Sequence, residues 1–317
     1  MLRVVASAFL LLVGTTAHAQ NYPSGPIRFI VSFGPGSATD LLARQLADPL
    51  SQTWGQPVVV DNRGGADGIV ASEAVAHAKP DGYTVLVTAN TTHGSNPALH
   101  KTLPYDPITD FTPVTLVGTT PLLALVNPQL PIHSVPELIA YAKANPATLN
   151  FSSGSASSRV AGEMFKSMAG IDMVNVTYRS NPQAIADLIA GQVQVMFCDS
   201  TTARPQVLAG KARAIGVTSL QRTSVDPDRP TIAEQGLPGY EMIAWNAVFL
   251  PAGTPAPIVA KLHGALVDIM HQPATRARLA QNGMELAAST PEALGAFVAA
   301  DIVKWKRIVA EAKIEVE

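Results

Sequence analysis

Residues 27–46 have the sequence IRFIVSFGPGSATDLLARQL, in which a strand, a loop of small residues and a helix follow one another. Residues 27–33 form an almost continuous apolar run, which is typical of a buried strand. Leucine then recurs at helical spacing between residues 41 and 50. Ser37 and Asp40 match the capping box, with Asp in place of the usual Glu. The pattern therefore predicts that a helix begins at Ala38.

The start of this helix is a candidate anion site. The first N–H groups of a helix have no partner within it, and they carry the positive end of the helix dipole. The carboxyl edge of the strands is also where open α/β sheets bind ligands. The alternative is a well-capped tight turn that binds nothing.

A second loop of small residues, SSGSASSR at 152–159, repeats this plan between a predicted strand and a predicted helix. Arg159 lies in the first helical turn, where a cation opposes the helix dipole. We expect Arg159 to clamp a ligand carboxylate, and the alternative is a solvated surface arginine. Two such helix starts predict a two-lobed receptor for a small acid.

Predicted strands and helices alternate along most of the chain, which indicates parallel sheets covered by helices. The strands are predicted at 27–33, 58–60, 83–87, 149–152, 173–178, 193–197 and 212–218, and helices at 136–144, 159–169 and 182–190. The rhythm changes at 113–117 and 122–126, two strands in direct succession, and again at a strand over 245–250. We interpret these as places where the chain crosses between lobes.

The resulting prediction is an α/β protein with two lobes joined by two crossing strands. Its length of 317 residues fits two domains. We assign 20–122 and 247–295 to the first lobe, and 123–246 and 296–317 to the second.

Composition excludes several classes of protein. The net charge of −2 is incompatible with a large basic surface for nucleic acid, and one cysteine excludes an intrachain disulfide or a multi-cysteine metal site. The scattered histidines have no metal-ligand spacing. We predict no metal and no cofactor.

The first twenty residues have the layout of a secretory signal peptide. Arg3 precedes an apolar run over 4–14, and Ala17-His18-Ala19 fits a cleavage site. We predict a signal peptide at 1–19, cut after Ala19, and no lipid anchor because no cysteine lies nearby. A buried N-terminal helix is the alternative.

Two enzyme readings find little support. Residues 34–39 approach the dinucleotide fingerprint, but Thr39 replaces its third glycine and Pro35 lacks an amide hydrogen. Ser155 or Ser157 with a distant histidine would make an exported serine hydrolase, although no nucleophile elbow accompanies them. The hydrolase stays open as an alternative.

Ordered motifs give the chain a family resemblance across nearly its whole length after the signal peptide. They are YP at 22–23, FxPGxATD at 33–40, GQPVVVDNR at 55–63, PDGYT at 80–84, NPAL at 96–99, LPYDP at 103–107, DFxPV at 110–114, AGE at 161–163, DLIAGQV at 187–193, PTIAE at 230–234 and GLPGY at 236–240, where x is a position outside the motif. In these the chain resembles the Bug-type periplasmic solute-binding receptors of tripartite tricarboxylate transporters.

The resemblance implies a Venus-flytrap fold of type II-like topology, located in the periplasm, with a small organic carboxylate between the lobes. It also implies one large and one small membrane transporter subunit as partners, and we expect a monomer. A carboxylate sensor with a signalling partner is a further alternative. Arg159, and Cys198 where the family commonly has Asp, make the site more positive than usual. They favour a dicarboxylate or an aromatic acid as the ligand.

The predicted ligand-binding residues lie in these loops and at the ends of strands. They are Phe33, Gly36, Ser37, Ala38, Thr39, Asp40, Asn90, Thr91, Ser153, Ser155, Ser158, Arg159, Tyr178 and Asp199. Asp40 is expected to order its loop as a cap rather than touch an anion, because two carboxylates in contact repel.

Overall fold

The strand and helix that the opening motif predicts are β1 (Ile27–Val31) and α1 (Ala38–Trp54), so the predicted helix start is confirmed. The computed structural model describes residues 22–223, 226–312 and 314–316. The predicted signal peptide and its cleavage after Ala19 lie outside the described residues.

The remaining elements follow in chain order. The strands are β2 (Val58–Asn62), β3 (Thr84–Ala89), β4 (Phe111–Val126), β5 (Asn150–Ser153), β6 (Val174–Thr177), β7 (Val195–Asp199), β8 (Arg213–Val217), β9 (Ile243–Pro251) and β10 (Glu285–Leu286). The helices are α2 (Ile69–Ala76), α3 (Asn96–Leu99), α4 (Val135–Ala144), α5 (Ala156–Ala169), α6 (Asn181–Ile189), α7 (Ser200–Leu208), α8 (Ala256–His271), α9 (Pro273–Gln281) and α10 (Pro291–Glu311). A π-helical turn over Thr91–Ser95 precedes α3.

The first lobe is built on the sheet β2-β1-β3-β9-β4. Strands β1, β2 and β3 are parallel, whereas β9 is antiparallel to both β3 and β4. Helices α1 and α8 cover one face through a core that includes Leu46 and Leu262. On the other face Ala71 of α2 packs with Trp245. The parallel strands therefore end at one edge, which carries the start of α1.

The second lobe repeats the plan with β6-β5-β7-β4 and with β8 also paired to β4. Strands β5, β6 and β7 are parallel, and β4 runs antiparallel to β7 and β8. Helix α5 buries Phe165 against Phe197 of β7, with ring centroids 5.4 Å apart. The starts of α5 and α7 lie at the carboxyl edge of this second sheet.

Strand β4 joins the lobes, and its continuity differs from the two strands predicted at 113–117 and 122–126. Its first part pairs with β9 as far as Pro121, and its second part pairs with β7 from Leu122 and with β8 from Leu123. Proline has no N–H to donate to a ladder. The partner strand of β4 changes directly after Pro121. One continuous strand can therefore contain this proline, which in the sequence separated two predicted strands.

The return crossing lies at the start of β9. Met242 donates its N–H to Thr218 in the second lobe, whereas Ile243 already pairs with Pro121 in the first sheet. Helix α10 spans both lobes, because Val298 belongs to a first-lobe core and Trp305 to a second-lobe core. The two-lobed fold with two crossing strands is confirmed, while the boundaries at 122, 246 and 295 stay a prediction.

Four helical segments were not predicted from the sequence. The π-helical turn and α3 are short, and α7 and α9 show weak amphipathic patterns interrupted by polar residues. Within the described residues, no helix has both the length and the apolarity needed to cross a bilayer.

Candidate functional site

A cavity of about 50 Å³ lies between the lobes at the carboxyl edges of both sheets. Its lining residues come from both lobes and from both crossing strands. They are Phe33, Ser37, Ala38, Thr39, Ala89, Asn90, Thr91, Thr120, Leu122, Gly154, Ser155, Ser157, Asn181, Asp199, Ala244 and Asn246. The volume is small beside the roughly 300–1,000 Å³ of drug-sized pockets, which fits lobes that are close together.

The first-lobe wall is the N-terminus of α1. Ser37 caps the helix, its Oγ accepting the N–H of Asp40 at 3.3 Å. The N–H groups of Ala38 and Thr39 donate to no acceptor in the described part of the chain. Asn246 donates to Thr39 Oγ1 at 3.3 Å, which leaves the hydroxyl hydrogen of Thr39 to donate elsewhere. This wall therefore presents hydrogen-bond donors.

Asp40 fixes the shape of the loop before α1. One carboxylate oxygen accepts the N–H of Gly36 at 2.9 Å, and the other accepts Nε of Arg44 at 3.0 Å. Burial alone would raise the pKa of Asp40, but the hydrogen bonds from Arg44 and Gly36 hold it below the ordinary value. Asp40 is buried beneath the loop and does not line the cavity, in line with its expected role as a cap.

The second-lobe wall combines the starts of α5 and α7. Ser155 caps α5, and its Oγ accepts the N–H of Ser158 at 3.3 Å. Gly154 lies so close to the turn before α6 that a Cβ on it would come within 2.2 Å of the carbonyl carbon of Ser180. Asn181 and Asp199 complete the wall, with Asn181 Nδ2 donating to Asp199 Oδ2 at 2.7 Å.

One direct hydrogen bond crosses the cleft inside the cavity. Ser157 of α5 donates its hydroxyl to Asn90 Oδ1 at the end of β3, at 3.0 Å. The contact joins the two lobes directly. Because the distance requires the lobes to be together, the structure represents a closed arrangement.

Three buried polar atoms in the lining have no hydrogen-bond partner among the described residues. They are Nδ2 of Asn90, Oγ1 of Thr91 and Oγ1 of Thr120. Their residues are at most 2% exposed. Burying such a group unpaired costs about 1–3 kcal/mol. Unpaired polar atoms grouped around one cavity point to a polar ligand.

The structure brings together only part of the predicted site. The cavity is lined by the predicted residues Phe33, Ser37, Ala38, Thr39, Asn90, Thr91, Ser155 and Asp199. The other predicted residues lie outside the lining: Gly36, Asp40, Ser153, Ser158, Arg159 and Tyr178. That the first set binds a ligand stays a prediction.

The side chains that lie outside the lining have other hydrogen-bond partners. Ser158 donates to the Phe197 carbonyl, and Ser153 donates to Asn175 Oδ1 at 2.8 Å. Tyr178 donates to Asp187 at 2.6 Å, and burial together with this carboxylate raises the pKa of Tyr178 to about 12.

Arg159 is not among the residues that line the cavity, and its role as a carboxylate clamp stays a prediction. Ser157 lines the cavity from the second helical position after the cap. Two residues further along, a side chain is turned by about 200° around the helix axis. Arg159 therefore points to a different side of α5 from Ser157, although Ser155, one helical turn before Arg159, also lines the cavity.

Sequence reasoning missed the contribution of the crossing strands and of α6. Thr120 and Leu122 come from β4, Ala244 and Asn246 from β9, and Asn181 from the start of α6. A usable signal was present for Asn246, which is a polar residue in the otherwise apolar strand β9 beside a predicted crossing point. Thr120 had no comparable signal, because β4 contains several threonines. Ala89, Gly154 and Ser157 were also absent from the predicted binding set.

The geometry of the cavity does not support the alternative of a serine hydrolase. Ser157 donates its hydroxyl to Asn90, and Ser155 serves as a helix cap. No histidine is among the described residues that line the cavity. In the described ranges, no group of three or more His, Cys, Asp or Glu is placed to hold a metal ion.

Comparisons with known proteins agree with this architecture. A family model described as tripartite tricarboxylate transporter family receptor matches residues 42–314. The protein BugT of Bordetella pertussis is 32% identical over 315 residues, which cover 98% of this chain and 97% of BugT.

Solved structures show the same fold over nearly the full chain. R. palustris Rpa4515 with adipate has a TM-score of 0.91 and 33% identity, covering 93% of this chain and 99% of that one. MatC from Rhodopseudomonas palustris with bound malate has a TM-score of 0.86 and 34% identity, covering 91% and 100%. The periplasmic binding protein BugD has a TM-score of 0.88 and 34% identity, covering 93% and 99%. The chain therefore belongs to the tripartite tricarboxylate transporter family receptors and is a two-lobed periplasmic solute receptor of that family.

Proposed function

We propose that this receptor binds a small organic carboxylate between its lobes and delivers it to the membrane subunits of a tripartite tricarboxylate transporter. The observation that carries the proposal is the grouping of donors and unpaired polar atoms around one interlobe cavity. The N-terminus of α1 supplies backbone N–H groups, and the end of β3 supplies Nδ2 of Asn90. A carboxylate is an acceptor that can take several such donors.

Hydroxyl groups add to this set of donors. The oxygens of Ser37, Thr39 and Ser155 each accept one hydrogen bond from the protein, and in the described chain none of these hydroxyls donates to a protein atom. Their hydrogens can therefore point to an anion in the cavity. These donors cost little reorganisation because each oxygen is already held in place by the hydrogen bond that it accepts.

Neutral dipoles would hold the anion. Among the described residues, none that lines the cavity is Lys, Arg or His. A helix N-terminus acts as roughly half a positive charge, and nearby carboxylates gain from it. Each hydrogen bond to a charged group contributes about 1.5–3 kcal/mol, so three or four, less the cost of ordering, give an affinity of about 1 μM.

The relatives support this ligand class. One neighbour was solved with adipate and another with bound malate, and both ligands are small carboxylates. We extend this to the present chain because its cavity is small and rich in donors. Closure of the lobes on the ligand would then be the state that the large and small membrane subunits recognise.

The proposal includes the route by which the chain reaches its partners. The signal peptide at 1–19 would be removed after Ala19, and the released chain would act as a monomer in the periplasm. Mass spectrometry of the secreted protein would locate the new N-terminus, and light scattering would give the oligomeric state.

A thermal-shift screen tests the ligand class. Adipate, malate and other small acids are compared with their uncharged amides, followed by calorimetry of every molecule that raises the midpoint of unfolding. We expect the acids to stabilise the protein and the amides to have no effect. Equal stabilisation by the amides would refute carboxylate recognition. Uptake by proteoliposomes that contain the membrane subunits, with and without the receptor, tests delivery.

A further inference from the structure

Asp199 places a carboxylate on the lining of the same cavity. It is the last residue of β7 and the N-cap of α7, and it is only 8% exposed. Its Oδ1 accepts the N–H of Thr202 at 2.8 Å, and its Oδ2 accepts Nδ2 of Asn181 at 2.7 Å. A carboxylate has about four acceptor positions, so these two bonds leave acceptor capacity beside the cavity.

The hydrogen-bond network fixes the direction of these donors. Gly154 donates its N–H to Asn181 Oδ1 at 3.2 Å, which turns the amide nitrogen of Asn181 towards Asp199. The thiol of Cys198 adds a weak contact to Asp199 Oδ2 at 3.9 Å. Every partner of the carboxylate is thus a donor, and the network ends in an acceptor at the cavity.

The cavity consequently has two chemically different regions. The start of α1 offers donors, whereas Asp199 offers an acceptor that carries negative charge. No cation among the described lining residues offsets Asp199. A ligand group that donates a hydrogen bond to Asp199 stabilises binding. A second ligand carboxylate in the same place would weaken binding, because it carries the same charge as Asp199.

We propose that Asp199 makes the receptor selective for hydroxy or amino acids, whose hydroxyl or ammonium group donates to this carboxylate. The proposal rests on the proposed carboxylate-binding function and narrows it. Hydroxyl and ammonium share the required chemistry, and ligands that carry one or the other distinguish them.

The first measurement uses the wild-type protein and needs no variant. Calorimetry compares three matched sets: propionate, lactate and alanine; succinate, malate and aspartate; adipate, 2-hydroxyadipate and 2-aminoadipate. In a set whose size fits the cavity, we expect the hydroxy or amino member to bind about ten- to a hundredfold more tightly than the unsubstituted acid.

The second measurement removes the charge. Asp199→Asn and Asp199→Ser both keep an oxygen that can cap α7. We expect either variant to bind the substituted and unsubstituted acids with similar affinity. Asp187→Asn is the matched control, because Asp187 also accepts a side-chain hydrogen bond but lies outside the cavity lining. It should keep the wild-type preference.

The outcomes separate the two proposals. If the unsubstituted acid binds wild-type protein as tightly as its hydroxy and amino partners, selection by Asp199 is wrong while carboxylate binding stands. Selection by Asp199 is also wrong if both Asp199 variants still bind the hydroxy or amino acid more tightly than the unsubstituted acid. If no member of any set binds, both proposals fall.

Discussion

Replacing Thr120 with valine should stabilise the empty receptor and weaken ligand binding. Thr120 lies on β4 beside the crossing between lobes, is 2% exposed, and has an Oγ1 without a partner in the described chain. Valine has the same shape and suits a strand. The substitution therefore removes an unpaired polar atom without opening a cavity.

The size of the effect follows from that unpaired atom. An unpaired buried hydroxyl costs about 1–3 kcal/mol, so Thr120→Val should raise the free energy of unfolding of the empty protein by about 1 kcal/mol. For a chain of this length that is about 2 °C in the midpoint of thermal unfolding. If the hydroxyl bonds the ligand, the loss of that bond weakens binding about tenfold.

Thr115 on the same strand provides a matched control. Thr115 is also buried, but its Oγ1 donates to the carbonyl of Ser289 at 2.9 Å. Thr115→Val should therefore lower stability by about 1 kcal/mol and leave affinity unchanged. Urea denaturation of the empty proteins and calorimetry with the best acid from the screen measure both quantities. If Thr120→Val destabilises the protein like Thr115→Val and binds normally, the reasoning is refuted.

Three further perturbations test the cleft and its walls. Ser157→Ala removes the hydrogen bond to Asn90 across the cleft, so the empty protein should have a larger radius of gyration in solution scattering. Asp40→Asn should cost about 1 kcal/mol at pH 7 but little at pH 3, measured by urea denaturation, because the ion pair with Arg44 lowers the pKa of Asp40. Gly154→Ala should destabilise the protein by about 1–3 kcal/mol, since its Cβ would meet backbone atoms at 2.2–2.4 Å.

Each of these tests has a result that contradicts it. Unchanged scattering after Ser157→Ala would mean that the cross-cleft bond does not hold the lobes together. For Asp40, the stabilisation is present above the ordinary pKa of about 4 and is lost as the pH falls through the lower folded value. An equal cost at pH 7 and pH 3 would assign the effect to packing instead. Normal stability of Gly154→Ala would show that the turn before α6 can move aside.

The sequence alone was sufficient for features that depend on neighbouring residues. The start of the strand at Ile27, the cap at Ser37 and the helix start at Ala38 follow from local hydrogen bonding and periodicity, and they occur where predicted, although β1 ends at Val31 and not at Phe33. The alternation of strands and helices, and the change of rhythm near residue 120, were enough to predict two lobes joined by crossing strands.

Tertiary structure alone decided which polar side chains share the cavity. Thr120, Asn181 and Asn246 are far apart in the chain, and only the pairing of β4 with β9 and the close approach of Gly154 to the turn before α6 bring them together. Arg159 shows the converse, because it belongs to the same predicted loop as Ser155 and Ser157 but is not among the residues that line the cavity. The local sequence pattern determines where a helix or strand begins. Which side chains from distant parts of the chain face one another depends on the packing of whole lobes.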